Sequence, residues 1–148
     1  MINATESILL FNAYTDESTR RKAYRVTRIN GVSAHEVAKD SDNGGYAALG
    51  RVMSVRVPYT HSIGQSYYNE AAYDLVADKA GIWTVRTQDY FIVLIGGPET
   101  IPETLYEDDI KALAKKYGYQ ARAYKITEYA DNTRRGRPAT QHIRIIGE

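Results

Sequence analysis

The chain has no cysteine among its 148 residues, which removes disulfides, thiolate nucleophiles and every thiolate metal site. That absence favours assembly in a reducing compartment. No stretch approaches the roughly 20 consecutive apolar residues that span a bilayer, and the N-terminus lacks the charged-then-apolar order of a secretory signal. A membrane partner is therefore not expected. Net charge is only +1, so any attraction to nucleic acid has to come from local patches and not from the whole-molecule field. Among aromatics, one tryptophan and two phenylalanines stand against 13 tyrosines. Tyrosine can lie half-buried with its ring on apolar surface and its hydroxyl in water, which suits protein contact; it also populates strands readily. With 43% hydrophobic and 25% charged residues the composition is that of an ordinary globular domain. A single domain over 1–148 is the economical reading.

Periodicity then divides the chain mostly into strands. Ile8, Leu9, Leu10 and Phe11 form a short apolar run suited to a first strand over 6–14. Residues 20–30 alternate up to Asn30-Gly31, which predicts a hairpin with 32–37 as the returning strand, because both central residues of a type I′ turn need positive φ. Residues 38–50 collect turn formers and read as a loop. Residues 50–58 alternate again until Pro58, and 59–68 read as a polar, aromatic loop. Two helices are predicted, over 69–80 and 104–117, ending at Gly81 and Gly118. In the second, Thr104 and Glu107 fit a capping box, acidic residues fill the first turn and Lys115 and Lys116 the last. Tyr106, Ile110, Leu113, Ala114 and Tyr117 share its buried stripe. Residues 83–87 and 90–95 look like paired strands about Gln88-Asp89, and 119–129 like a further strand. Seven or eight strands with two inserted helices make a mainly β (α+β) protein, a small antiparallel β-barrel or sandwich.

No catalytic constellation emerges. His35, His61 and His142 are scattered, without the spacing of a zinc site. Gly44-Gly45 and Gly96-Gly97-Pro98 lack the Lys-Ser/Thr that makes a phosphate loop, and Glu107, Asp108 and Asp109 complement a helix start. No Gly-x-Ser-x-Gly elbow is present. The expectation is a protein that is not an enzyme and uses no cofactor or metal.

The closing stretch carries the most information. A turn-forming cationic loop (Asp131, Asn132, Arg134, Arg135, Gly136, Arg137, Pro138) runs into a strand in which Ala139, Gln141, Ile143 and Ile145 share one face and Thr140, His142, Arg144 and Ile146 the other. Such an arm supplies donors and positive charge but no nucleophile. A second basic patch gathers Arg20, Arg21, Lys22, Arg25 and Arg28. Pairing of these arginines with acidic residues of neighbouring subunits is favoured over DNA contact, since the planar guanidinium fits carboxylates well.

Three motifs point to a family: Ile8-x-x-Phe11-Asn12-x-Tyr14-x-Asp16-x-x-Thr19-Arg20, the segment Tyr24-x-Val26-Thr27-x-Ile29-x-Gly31-Val32, and Asp131-Asn132-x-Arg-x-Gly-x-Pro-x-x-x-His142. With the order Gly81-x-Trp83-Thr84-Val85 then Asp89-Tyr90-Phe91-Ile92-Val93, the chain resembles, nearly end to end, a group of small proteins of tailed phages and prophages of Firmicutes-type bacteria. These are encoded among the structural genes near the major capsid protein and often labelled minor capsid or head-tail connector proteins. One departure is Ile143, where an aromatic is expected after the closing histidine. The resemblance implies a structural virion protein, assembled in the bacterial host cytoplasm, that forms a homo-oligomeric ring at the neck. Its partners would be further copies of itself, portal or adaptor protein, tail-terminator or tail-tube proteins, and packaged double-stranded DNA if Arg134, Arg135 and Arg137 line the channel. The loops 38–50, 59–68 and 130–138 are the expected docking edges, with Tyr46, Tyr67, Tyr68, Arg20, Arg21, Arg134, Arg135, Arg137, His142 and Arg144 as contact residues. The alternative is a small β-barrel that binds single-stranded nucleic acid through arginine and stacked tyrosine.

Replacing Arg134 and Arg135 together by alanine is expected to leave the fold intact and reduce the joining of heads to tails, measured as the yield of infectious particles.

Overall fold

The apolar run at residues 8–11 does not alternate because both faces of its strand are buried. β1 (Glu6–Thr15) sends Ile8 and Leu10 into one core and Leu9 and Phe11 into a second, and all four are fully buried. At about 1.5–3 kcal/mol for each large apolar side chain buried, this run alone contributes an amount comparable to the whole net stability of a domain.

The computed structural model describes residues 6–38, 51–58, 66–77, 79, 82–96, 104–132 and 141–148. Within them follow β2 (Lys22–Ala38), β3 (Arg51–Pro58), β4 (Ser66–Tyr67), α1 (Glu70–Leu75), β5 (Ile82–Trp83), β6 (Tyr90–Val93), β7 (Thr104–Tyr106), α2 (Glu107–Tyr117), a 3-10 turn at Tyr119–Ala121, β8 (Tyr124–Asn132) and β9 (His142–Gly147). The protein is mainly β, with a seven-stranded antiparallel sheet and two helices. Its pairings run β1-β6-β8-β9-β3-β2 and return from β2 to β1, so six strands form a closed cycle. β7 adds to the early part of β2, with Leu105 opposite Tyr24, and β4 and β5 make a separate short parallel pair.

Strand polarity gives this cycle two rims. The β1–β2 turn, the start of β6, the end of β8 and the start of β9 share the first rim. The start of β1, the end of β2, the end of β6, the start of β8 and the end of β9 share the opposite one. Inside lies a core that includes Ile8, Leu10, Ile29, Val32, Val55, Phe91, Ile126, Ile143 and Ile145, with Trp83 and Val85 from the segment around β5. Outside β1 and β6, Leu9, Phe11, Ile92 and Leu94 pack with Tyr24, Leu105 and the α2 residues Ile110 and Ala114. The predicted stripe on α2 is therefore the one that is buried.

Several expectations are corrected. Asn30-Gly31 does not turn a hairpin; β2 continues through it. Gly31 takes the positive φ of 72° anticipated for it, but at a bulge, where Glu6 pairs with Val32 and Ser7 with Asn30. The extra residue lets Ile29 and Val32, three apart, both face the inner core and turns the strand from β1 towards β3, where Ser33 faces Arg56.

The first helix covers only six residues, not 69–80. Lys79 Nζ donates to the carbonyls of Tyr73 (2.6 Å) and Val76 (2.7 Å), closing the helix early, and Leu75 at its end is 88% exposed. The second helix starts three residues late because residues 104–106 are held as strand against β2; Asp109 Oδ2, and not a Thr104–Glu107 box, receives the Tyr106 N–H at 3.0 Å. Among the described residues, 84–87 pair with no strand, and β8 begins at Tyr124 after the 3-10 turn and continues through Asn132. The expected loops lose Ser66 and Tyr67 to β4 and residues 130–132 to β8, while 39–50, 59–65 and 133–138 lie outside the described residues.

A Cβ at Gly147 would stand 2.8 Å from both Phe91 Cζ and Tyr124 Cβ, in the middle of a stacked pair whose ring centroids are 5.4 Å apart. Gly147→Ala is expected to destabilise by about 1–3 kcal/mol, measured by urea denaturation. An unchanged midpoint would show that the ring stack yields freely.

Candidate functional site

The first rim is built from a tight turn whose cations are laid on tyrosine rings. Asp16 organises it: its carbonyl accepts from Arg20 N at 2.7 Å, its N–H donates to the Arg21 carbonyl at 2.9 Å, and its Oδ1 accepts from Ser18 Oγ and N at 2.7 and 3.0 Å. Those Ser18 bonds hold the Asp16 carboxyl below its usual range. The Tyr106 hydroxyl donates to Asp16 Oδ2 at 3.1 Å, and the Arg21 guanidinium lies 4.2 Å above the Tyr106 ring. Nearby, Arg25 lies 5.0 Å from the Tyr14 ring centre and Lys22 5.6 Å from that of Tyr24. Burial pushes the Tyr24 hydroxyl up to about 12. Arg20 is exposed, with a left-handed φ of 56°.

Beneath this rim is a buried polar knot. Asn12 continues the inward face of Ile8 and Leu10, yet its amide clamps one peptide of the unpaired segment: Nδ2 donates to the Thr84 carbonyl at 2.7 Å and Oδ1 accepts from Thr84 N at 3.3 Å. Nδ2 also lies 3.1 Å from Asp89 Oδ2, whose other oxygen accepts from Ala13 N at 3.2 Å. Asn12, Thr84 and Asp89 are each at most 3% exposed. The amide thus supplies the bonds that a ladder would otherwise give residue 84. Desolvation raises the Asp89 pKa, opposed by its bonds to Asn12 and Ala13 and by the charges of Arg86 and Lys22. Arg86 lies 5.2 Å from the buried Tyr73 ring centre, with Lys79 Nζ 4.3 Å from the same ring, and its guanidinium is 3.7 Å from Asp74.

Further along the same end, Tyr67 is half-buried against Trp83 at a centroid distance of 5.2 Å. Burial, followed by the Asp131 charge, pushes its hydroxyl up to about 12, and that hydroxyl bonds to the Asp131 side chain. Next on β8, Asn132 Nδ2 is 3.3 Å from His142 Nε2, across from which β9 begins.

The contact residues expected from the sequence are therefore distributed as follows. Arg20 and Arg21 occupy the first-rim turn. Tyr67 bonds to Asp131, and His142 lies beside Asn132, the next residue of β8. Tyr68 is exposed, with its N–H on the Trp83 carbonyl at 2.9 Å. Arg144, placed on the same strand as His142, is turned to Glu128 in a 3.1 Å ion pair. Tyr46, Arg134, Arg135 and Arg137 lie outside the described residues. Asn12, Thr84 and Asp89 entered the sequence reading only as motif residues, with no role in a site, and Tyr73 did not enter it; a polar Asn12 directly after the run at 8–11 was the available signal.

Chemically, the rim offers guanidinium and hydroxyl donors. Asp89, the buried carboxylate, is engaged by Asn12 and backbone. Among the described residues, no group of three or more His, Cys, Asp or Glu side chains could hold a metal ion. The chain belongs to a family of unknown function, DUF6751, whose model matches residues 2–148. No curated protein and no solved structure matches it.

Because the folded-state pKa of Asp89 is raised above its unfolded value of 3.8, the native state holds the proton over a pH range where the unfolded chain has lost it. The cost of the buried charge is fully present above that range and is relieved as pH falls through the folded pKa towards the unfolded one. The stability of Asp89→Asn relative to wild type should thus be most favourable near neutral pH and decline towards about pH 4, read from urea midpoints of both proteins. The opposite trend would mean that Arg86 and Lys22 outweigh desolvation.

Proposed function

We propose that the protein is a structural component of a tailed-phage virion, a head-tail connector of the stopper or completion type. It acts as a homo-oligomeric ring at the neck, between portal or adaptor protein and the tail, and it acts by contact without covalent chemistry. Besides the sequence resemblance, the observation that carries this reading is the surface of the closed sheet. It is rich in the residue types that dominate protein interfaces, arginine and tyrosine, held in rigid mutual arrangements. Arg21 on Tyr106 and Arg25 on Tyr14 are fixed in this way, and Tyr68, Tyr119 and Tyr129 are each 37–38% exposed. Side chains fixed before contact lose less entropy when a partner docks.

The rival reading, a barrel that stacks single-stranded nucleic acid on tyrosine, is weakened by the same pairs. A ring face already covered by a cation is not open to a base, and Tyr14 and Tyr106 each carry one.

Mass spectrometry of purified particles should find the polypeptide in fixed stoichiometry, and a phage lacking it should accumulate DNA-filled heads without tails. Arg21→Ala should lower the yield of joined particles while changing folding stability by no more than about 1 kcal/mol. Particles that lack this polypeptide, or a monomer that binds oligonucleotides tightly with steep salt dependence, would replace the connector reading.

A further inference from the structure

The 3-10 turn that follows α2 holds two successive non-glycine residues in the left-handed region, Gln120 at a φ of 57° and Ala121 at 53°. Beyond it, residues 121–123 share with α2 the lining of an open cavity of about 240 Å³. Its apolar lining is Ile110 and Ala114 of the helix with Ala121 and Ala123 of the segment beyond the turn, and the small alanine side chains leave the space. Three cations line the same cavity: Lys111 and Lys115, four residues apart on one face of α2, and Arg122. All three are exposed, and among the described residues none has an ion pair or a hydrogen bond. Arg122 rests 5.0 Å from the centre of the buried Tyr124 ring, a contact that steadies its guanidinium without neutralising its charge. Glu107 is the one carboxylate in the lining, and it already accepts from the Tyr90 hydroxyl at 3.1 Å.

The helix dipole accounts for Lys115 in the last turn, but Lys111 stands in mid-helix and Arg122 outside the helix. Three positive charges gathered on one hollow repel one another, and an anion placed among them relieves that repulsion. The apolar lining adds a second requirement, an aliphatic stem behind the charge. We propose that this cavity binds an acidic peptide segment of a partner protein. A glutamate lays its methylenes against the alanines, and its carboxylate meets Lys111, Lys115 and Arg122. The volume lies below the roughly 300–1,000 Å³ of small-molecule sites and suits one or two side chains. Nucleic acid fits less well. The lining is aliphatic apart from Tyr90, whose ring is held edge to face by Tyr24 at 5.8 Å and whose hydroxyl is engaged by Glu107, so no stacking platform is offered. The site goes beyond the connector reading, which neither requires nor supplies an acidic partner.

Fluorescence anisotropy of the purified full chain with a labelled Leu-Glu-Glu-Leu-Glu peptide reads the contact directly. Binding should saturate with a Kd of about 100 μM or tighter, and the peptide with glutamine in place of each glutamate should bind at least about tenfold more weakly. Lys111→Gln and Lys115→Gln, both at exposed positions, should each weaken binding by at least about fivefold with an unchanged circular dichroism spectrum. Lys116→Gln removes the same charge from the same helix but outside the cavity, where its Nζ lies 5.3 Å from the Tyr117 ring centre, and should change the Kd by less than about twofold. No saturation by about 1 mM, equal binding of the glutamate and glutamine peptides, or equal losses from Lys116→Gln and Lys111→Gln would each overturn the proposal, the last by showing only diffuse attraction. A single-stranded oligonucleotide of the same charge that bound more tightly than the peptide would also overturn it, and would put nucleic acid in place of the acidic segment.

Discussion

Everything in this fold depends on β2 being able to serve two sets of neighbours, and a single backbone position permits it. At Gly31 the positive φ inserts one extra residue opposite β1 and redirects the strand. Before it, β2 is paired with β1 and β7; beyond it, with β3. Without that bend β2 could not continue from β1 to β3, and the six-strand cycle would stay open with an edge of unpaired donors and acceptors. Closure also fixes which loops share a rim, so the placement of every surface discussed above follows from it.

A closed cycle buries one face of each strand, but β1 and β6 are buried on both. The second burial comes from α2, whose Ile110 and Ala114 cover Leu9, Phe11, Ile92 and Leu94. Gly118 ends that helix, not by a left-handed turn, since its φ is −85°, but by having no side chain where a Cβ would meet the Ala114 carbonyl at 2.7 Å and Ile92 Cγ2 at 3.0 Å. Helix and sheet therefore approach closely at the end of α2, and the chain can drop directly through the 3-10 turn into β8. The polar knot of Asn12, Thr84 and Asp89 does the corresponding work within the cycle. It satisfies a segment that no described strand pairs with and so lets Trp83 and Val85 join the inner core.

The surface follows from the same economy of fixed parts. Cations on tyrosine rings lose side-chain freedom during folding, which leaves a charged surface of defined shape. One rim carries basic side chains on a rigid turn. The other carries an apolar hollow with carboxylates in its wall.

Local chemistry was legible along the chain. The unbroken apolar runs at 8–11 and 91–94, the alternation of Ile143 and Ile145, the helix over α2 with its acidic start and basic end, and the need for positive φ at Gly31 are all consequences of side-chain spacing and backbone sterics. What spacing cannot express is which partner each backbone group finds. Whether Gly31 turns a hairpin or bends a strand depends on where β3 lies; whether residues 104–106 begin a helix or extend a sheet depends on the free edge of β2. Whether residues 84–87 pair with β6 depends on Asn12, about seventy residues away. The sequence by itself determined the mainly β class, the apolar material of the core and the basic character of the turn. Only the tertiary structure decided that the sheet closes, which rim each charge occupies and which tyrosines are covered, because those outcomes are set by long-range pairings that no local pattern encodes.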